Sequence, residues 1–413
     1  MRVLTGSLLL LLTGLLCGVT GAQESLTLER AVTAALEYNP SLQASRSDVE
    51  AARAAARGAR ALANPEILIA PAVSGAAGSD EEFLLVQPLE VNGQRRARAT
   101  VAKAELQAAT AGSRATRREI IRAVREAYWN MAEAQAVVDL NRENVQLAES
   151  LYHAAQRQVE VGTAPGSQAM KAQVEVARAR QELARAESEL AQAKAALNTL
   201  MGRAPETAFT LADELTYAPL TLNSSSLAVL ARANRPEIAQ AQAELAAREG
   251  RISAARTRRL PDVAMQARKE KLRGDGGWAV GLTLPLIDWG SVRGERRQAE
   301  AAAAAQEKRV AAVQNEVTRE VYSALREVER SEATVREYQQ GALSQAEQLS
   351  EMARKGYQAG ATGYLEVLEA QRTLRSVRTD YYSALADHLK ALAQLEWAVG
   401  VDLAGLTTKE AAR

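Results

Sequence analysis

One cysteine, two histidines and two phenylalanines occur among 413 residues, and aromatic side chains as a class make up 4% of the chain. A single thiol excludes an intramolecular disulfide. His153 and His388 by themselves give a histidine-based metal centre or a Ser-His-Asp triad almost nothing to draw on. Neither sign of charge is in excess, with 51 Lys+Arg against 50 Asp+Glu. That balance leaves no overall electrostatic footprint for nucleic acid or for an anionic membrane surface. Large apolar side chains are scarce too, because the 47% hydrophobic fraction leans on alanine. Such a composition suits long helices packed closely better than one thick globular core. The glycine cluster at 274–277 lacks the strand, helix and Lys-Ser/Thr of a phosphate loop. The chain is expected to be no enzyme and to carry no cofactor or metal.

The N-terminus, MRVLTGSLLLLLTGLLCGVTGAQES, reads as an export signal. Arg2 precedes an apolar run from Leu8 to Leu16, and small residues from Thr20 to Ala22 mark cleavage before Gln23. The run is too short for a membrane span, which takes about 20 apolar residues. No later segment is apolar enough for a transmembrane helix. Cys17 lies inside the signal; its alternative role, as the acylated residue of a lipoprotein, is disfavoured by Leu16, where a small residue is normally needed. Removal of the signal leaves a chain without cysteine.

What the chain does have is an internal repeat. Asn39-Pro40 is answered by Arg235-Pro236 and Pro65 by Pro261, at an offset of 196. Pro88 and Gly93 pair with Pro285 and Gly290 at 197, and Gly162 and Gly202 with Gly360 and Gly400 at 198. The reading is a signal peptide (1–22), a first repeat (23–202), a connector rich in turn formers (203–225), a second repeat (226–400) and a tail (401–413).

Each repeat reads helix, strand, strand, helix, helix. In the second, a helix from about Ser226 to Arg259 ends at Pro261, and the segments PDVAMQAR and WAVGLTLP follow. Trp278, Val280, Leu282 and Leu284 alternate with small residues, a period of two that puts one face in an apolar medium. The first repeat carries PEILIAPAV and FLLVQPLE with a less clean alternation. Long proline-free helical runs follow, from about Gln94 to Val161 and from about Ser291 to Ala359, each roughly 100 Å at 1.5 Å per residue. After a glycine turn, helices return over Ser167–Met201 and Tyr364–Val399. Their apolar residues alternate spacings of three and four, from Ala169 to Leu200 and from Val367 to Ala398, the condition for coiled-coil packing.

Few polar features stand out. His388 occupies the seam position that Leu190 holds in the first copy, which suggests a packed or pore-facing histidine. Glu366 and Glu369 share a helix face just after the second glycine turn. In a monomer they read as solvated surface, since exposed charge is the norm.

Together these features resemble the TolC-like outer membrane efflux proteins over nearly the whole mature chain. The carriers are Tyr38-Asn39-Pro40-Ser41-Leu42, the strand exits QPLEVNGQRRAR and LPLIDWGSVRGERR, and the two turns. Tyr357, Gly360, Glu366 and Ala370 fit the family's turn pattern; Gly162 and Ala172 fit it as well, with Gln168 replacing the acid. The resemblance implies a mainly α, internally duplicated fold with long antiparallel coiled coils and four strands per chain. Three chains would form an α-barrel and a 12-stranded β-barrel in the outer membrane, with the helical barrel in the periplasm. One physical argument stands beside it: four strands cannot close a membrane barrel, and an open sheet edge in lipid is forbidden.

The resemblance further implies an exit duct of a tripartite efflux system, fed by an inner-membrane pump of RND or ABC type through a periplasmic adaptor. Its pore constriction would use Glu366, Glu369 and Tyr357. Adaptor-docking tips would use Gly162, Thr163, Gln168, Gly360, Ala361 and Thr362, the last standing where some relatives carry an arginine. Trp278, Val280, Leu282 and Leu284 would face lipid. The alternatives are an outer membrane channel for type I protein secretion, and a soluble periplasmic coiled-coil adaptor, against which the alternating strand argues. The exported substrate stays open.

Overall fold

A computed structural model describes residues 24–70, 82–217, 224–270, 276–283 and 289–402. The signal segment with Cys17, most of both hairpin loops, Leu284 and the tail beyond residue 402 lie outside the described residues.

The first repeat starts with a short strand β1 (Glu24–Leu26), then α1 (Leu28–Tyr38) and α2 (Pro40–Gly58). The break between the helices is chemical. Pro40 has no N–H to continue α1, and Asn39 accepts hydrogen bonds from the amides of Ser41 and Leu42 to cap α2. Strands β2 (Glu66–Ala70) and β3 (Glu82–Pro88) follow, then α3 (Gln94–Glu160) and the returning α4 (Gly166–Leu200). In the connector, β4 (Phe209–Leu211) pairs in parallel with β1. Asp213 takes hydrogen bonds from the Leu28 amide at the start of α1 and from the buried Tyr128 hydroxyl on α3, both at 2.8 Å. The connector is held here, and again by the Tyr217 hydroxyl, which donates to Glu332 at 2.8 Å.

The second repeat comprises α5 (Ser224–Asn234), α6 (Pro236–Thr257), β5 (Asp262–Glu270), β6 (Gly276–Thr283), α7 (Ser291–Glu337), α8 (Leu343–Gln358) and α9 (Tyr364–Val399). The single helix expected over 226–259 is two, because Pro236 stops α5 as Pro40 stops α1. Where Asn39 bonds back to the Leu200 carbonyl at the end of α4, Arg235 takes over the task in the second copy. It donates to the Ala398 carbonyl at the end of α9, pairs with Glu237 and Glu320 at 2.8 Å each, and lies 4.2 Å over the Trp397 ring.

The long run expected over 291–359 is also interrupted. Tyr338–Ala342 forms one wide π turn between α7 and α8, whereas α3 is α-helical throughout its 67 residues. The repeat register explains the difference. The cores match residue for residue: Ile120, Val124, Tyr128 and Met131 on α3 correspond to Val317, Val321, Leu325 and Val328 on α7 at an offset of 197. Leu197 and Met201 correspond to Leu395 and Val399 at 198. One extra residue therefore entered the second copy between Val328 and Gly360, and a π turn is how a helix absorbs one extra residue without rotating its faces out of register.

The returning helices bury their seams as the spacing requires. Ala172, Val176, Ala179, Ala186 and Leu197 are buried on α4, and Val367, Ala370, Ala384, His388, Ala391, Leu395 and Ala398 on α9. Alanine at so many positions brings axes close and supplies packing where large side chains are scarce. His388 is 1% exposed, with Nδ1 3.1 Å from Ser331 Oγ on α7 and its ring 5.5 Å from that of Tyr217. It is packed, and burial pushes its pKa down despite the pull of Glu332.

The four long strands form one antiparallel sheet in the order β2-β3-β5-β6, so β3 and β5 join the two repeats. Register places Ile67, Leu85, Ala267 and Trp278 in one row, with Met265 and Val280 in the next. Among the described residues the outer edges of β2 and β6 have no partner strand. None of the described helices is long and apolar enough to cross a membrane.

Candidate gate, docking tips and membrane face

The two glycine turns lie at the ends of the helical hairpins and share a backbone design. Gly162 and Gly360 adopt φ +76° and +72°, a left-handed conformation that glycine adopts without strain. The amides of Thr163 and Ala164 donate to the Gln158 carbonyl, and those of Ala361 and Thr362 to the Gly356 carbonyl, closing each helix. Gly162, Thr163, Gly360 and Ala361 are exposed.

Side chains at matched positions have exchanged bulk. The first copy has Gln158 on the helix and Ala164 in the turn; the second has Gly356 and Thr362. A Cβ built on Gly356 would lie 2.7 Å from the Thr362 methyl, so the glycine is required by its neighbour. Thr362 is half-buried and donates to the Ala353 carbonyl at 3.1 Å.

Tyr357 and Gln168 join the two tips. The Gln168 amide donates to the Tyr357 hydroxyl and to Gln158 Oε1, both at 3.1 Å, and the Tyr357 hydroxyl donates to Gln158 Oε1 at 3.0 Å. This closed triangle binds the end of the second hairpin to that of the first. Gln168 is half-buried within it, so the missing acid of the first turn is a structural amide here. Tyr364 packs beside it with Ala155 and Ala172, and burial raises its pKa. Two ion pairs extend the seam between α4 and α9: Glu175–Arg372 at 2.5 Å, and Glu182–Arg375. Neither these pairs nor Gln158 stood out in the sequence; comparing the copies at an offset of 198 would have flagged Gln158 against Gly356.

Glu366 and Glu369 are both exposed on the first turns of α9. Among the described residues neither carboxylate has an ion-pair partner, in a chain whose other glutamates are mostly matched with arginines. Glu366 lies where the helix dipole favours negative charge. The matching positions on α4 are Gln168 and Lys171, so the acidic pair belongs to one hairpin only. Among the described residues no cluster of His, Cys, Asp or Glu could hold a metal ion within one chain.

At the other end of the molecule, Trp278, Val280 and Leu282 are 79%, 62% and 59% exposed on one face of β6. Ile67, Ile69, Phe83, Leu85 and Met265 extend this face across the sheet and are exposed as well. The opposite face carries Glu66, Gln266 and Arg268 among small and apolar residues. An apolar face of this extent is stable only against lipid or another chain.

Comparison with known proteins bears on both ends. The sequence model of the outer membrane efflux protein family matches residues 31–203 and 227–401. The chain is 28% identical to the cobalt-zinc-cadmium resistance protein CzcC of Cupriavidus metallidurans, over 91% of this chain and 90% of that protein. It is 29% identical to the nickel-cobalt-cadmium resistance protein NccC of Alcaligenes xylosoxydans xylosoxydans, over 68% and 65% respectively. In fold it is similar to the outer membrane protein VceC of Vibrio cholerae, with a TM-score of 0.75, 22% identity, and coverage of 91% of this chain and 96% of that one. With both repeats matched and the apolar sheet face at one end, the chain belongs to the outer membrane efflux protein family and is a protein of the outer membrane.

Proposed function

We propose that three copies of this chain form a passive exit duct in a tripartite efflux system. The open-edged four-stranded sheet carries this reading: a lipid-exposed sheet must close, four strands are too few, and three copies give about twelve. The glycine turns then ring the periplasmic mouth, where Gly162, Thr163, Gly360 and Ala361 offer backbone and small side chains to a periplasmic adaptor. An inner-membrane pump supplies the energy, since the duct has no chemistry of its own.

Glu366 and Glu369 form the constriction in this reading, giving six carboxylates around a three-fold axis. Such a ring attracts cations and repels anions. Tyr357 acts one step back, holding the gate hairpin to its neighbour. Divalent metal cations are the substrate class best supported, from the resistance phenotypes for which CzcC and NccC are named and from the acidic ring. His388 is packed between helices and has no part in selecting them.

Planar-bilayer conductance of the purified protein tests the pore, and growth of a deletion strain on zinc, cobalt and cadmium tests the cargo. Glu366→Ala with Glu369→Ala should abolish cation preference and relieve block by divalent ions. Unchanged selectivity would remove these residues from the constriction, and metal tolerance equal to that of the parent strain would remove metals from the substrate list.

A further inference from the structure

The near-neutral chain conceals a concentrated charge. At the four junctions between strands and helices, within residues 57–66, 88–98, 256–262 and 289–297, eleven arginines stand against four described carboxylates, an excess of seven in a chain whose net charge is +1. Two of the carboxylates are already committed: Glu90 pairs with Arg98 at 2.6 Å and Glu295 with Arg258 at 2.5 Å. Arg57 and Arg60 at the end of α2, Arg95 and Arg96 at the start of α3, and Arg293 and Arg297 at the start of α7 are exposed and have no ion pair among the described residues.

The placement runs against local electrostatics. Neither α3 nor α7 has an acidic residue in its first turn, and Gly93 and Gly290 at their N-caps contribute no side-chain acceptor. Cations at a helix N-terminus oppose the helix dipole. Asn92 Oδ1 accepts from the Gln94 amide at 3.1 Å and caps α3, so an anion at this level is called for by the unpaired arginine side chains. The same level carries apolar side chains open to their surroundings: Trp289 is 91% exposed, Val91 66% and Leu62 56%. Tryptophan beside arginine, directly below an apolar sheet face, is the composition of a membrane–water interface.

We propose that this arginine collar binds the anionic phospholipid headgroups of the inner, periplasm-facing leaflet of the outer membrane and fixes the depth of the channel. The phosphates lie among the exposed arginine side chains, with Trp289 at headgroup level and the face containing Trp278 above it in the acyl chains. This rests on the outer membrane location and is independent of the reading of the gate.

The test uses the full-length protein in nanodiscs of phosphatidylcholine, with or without about a third phosphatidylglycerol, a composition that adds negative charge without changing thickness. Anionic lipid should raise the unfolding temperature of the wild type by roughly 3 °C or more, an effect that weakens as salt rises from about 0.1 to 0.5 M. The variant carrying Arg95→Gln, Arg96→Gln, Arg293→Gln and Arg297→Gln should fold, since these side chains are exposed, and should lose most of that response. A control with Arg185→Gln and Arg326→Gln, on distant exposed helix surfaces, should keep it. An equal response in the collar variant overturns the proposal. So does the same stabilisation by inorganic phosphate in phosphatidylcholine discs, which would mean a general anion site.

Discussion

Gln168 of the first repeat hydrogen-bonds Tyr357 of the second at 3.1 Å, and both meet Gln158. The residue that replaces the first turn's acid thereby ties the two hairpin tips of one chain together, while the acidic pair on the other hairpin stays unpartnered.

Removing this tie should loosen the mouth without unfolding the hairpins. Tyr357→Phe deletes two hydrogen bonds and keeps the ring that packs 6.4 Å from Tyr364. At about 1 kcal/mol net for each bond, the open fraction should rise roughly tenfold or more if opening breaks the triangle. Single-channel recording in a planar bilayer measures it. An open probability equal to wild type would show that the triangle does not hold the closed state.

The exchanged bulk at the turns predicts a rescue. Gly356→Ala should cost about 1–3 kcal/mol, because its Cβ meets Thr362 at 2.7 Å. Adding Thr362→Ala, which puts the first copy's alanine in the turn, should recover at least half of the loss. Chemical denaturation of the wild type and the two variants checks this, and a double variant no better than the single would refute the contact as the cause.

His388 should make the chain acid-sensitive. Burial lowers its pKa from the ordinary 6.5, so the unfolded chain binds the proton more readily than the folded one. Its stabilising contribution is complete above pH 6.5 and falls as pH drops from there toward the lowered value. His388→Leu, the residue type of the first copy, removes a ring nitrogen that has no partner, and Ser331 retains its bond to the Val328 carbonyl. The variant should match the wild type at pH 7.5 and lose less stability at pH 5 in thermal melts. Parallel losses would exclude His388 as the source.

The π turn predicts that one residue is dispensable. Deleting Gln340 should convert α7 and α8 into one continuous helix in the register of α3, with a melting temperature within about 2 °C of the wild type. Hydrogen exchange at 338–343, faster in the wild type than at the matched part of α3, should slow. Unfolding of the second hairpin on deletion would show that the extra residue is not the cause of the turn.

Much was legible before any coordinates. Punctuation at Asn39-Pro40, Gly162, Arg235-Pro236 and Gly360 revealed the duplication, because proline and glycine act on their own backbone whatever surrounds them. The heptad spacing located the buried seams, and the alternation from Trp278 to Leu282 located the exposed apolar face of the sheet, since both periods are set by local geometry. The acidic pair was visible for the same reason: three residues apart on a helix is one face.

Contacts between the copies were not legible. The sequence placed Gln168 and Thr362 at the tips with the same standing as Gly162 and Ala361, yet the fold turns both inward, one to Tyr357 and the other to Ala353. The offset was seen to grow from 197 to 198, but only the tertiary structure located the extra residue in the turn at Tyr338–Ala342. A balanced count of charges likewise hid the arginine collar, because net charge sums over a chain while folding decides which charges meet. Sequence by itself determined the repeating units, through local backbone chemistry and periodicity. The tertiary structure decided how one unit leans on the other, through packing and hydrogen bonds between residues nearly two hundred positions apart.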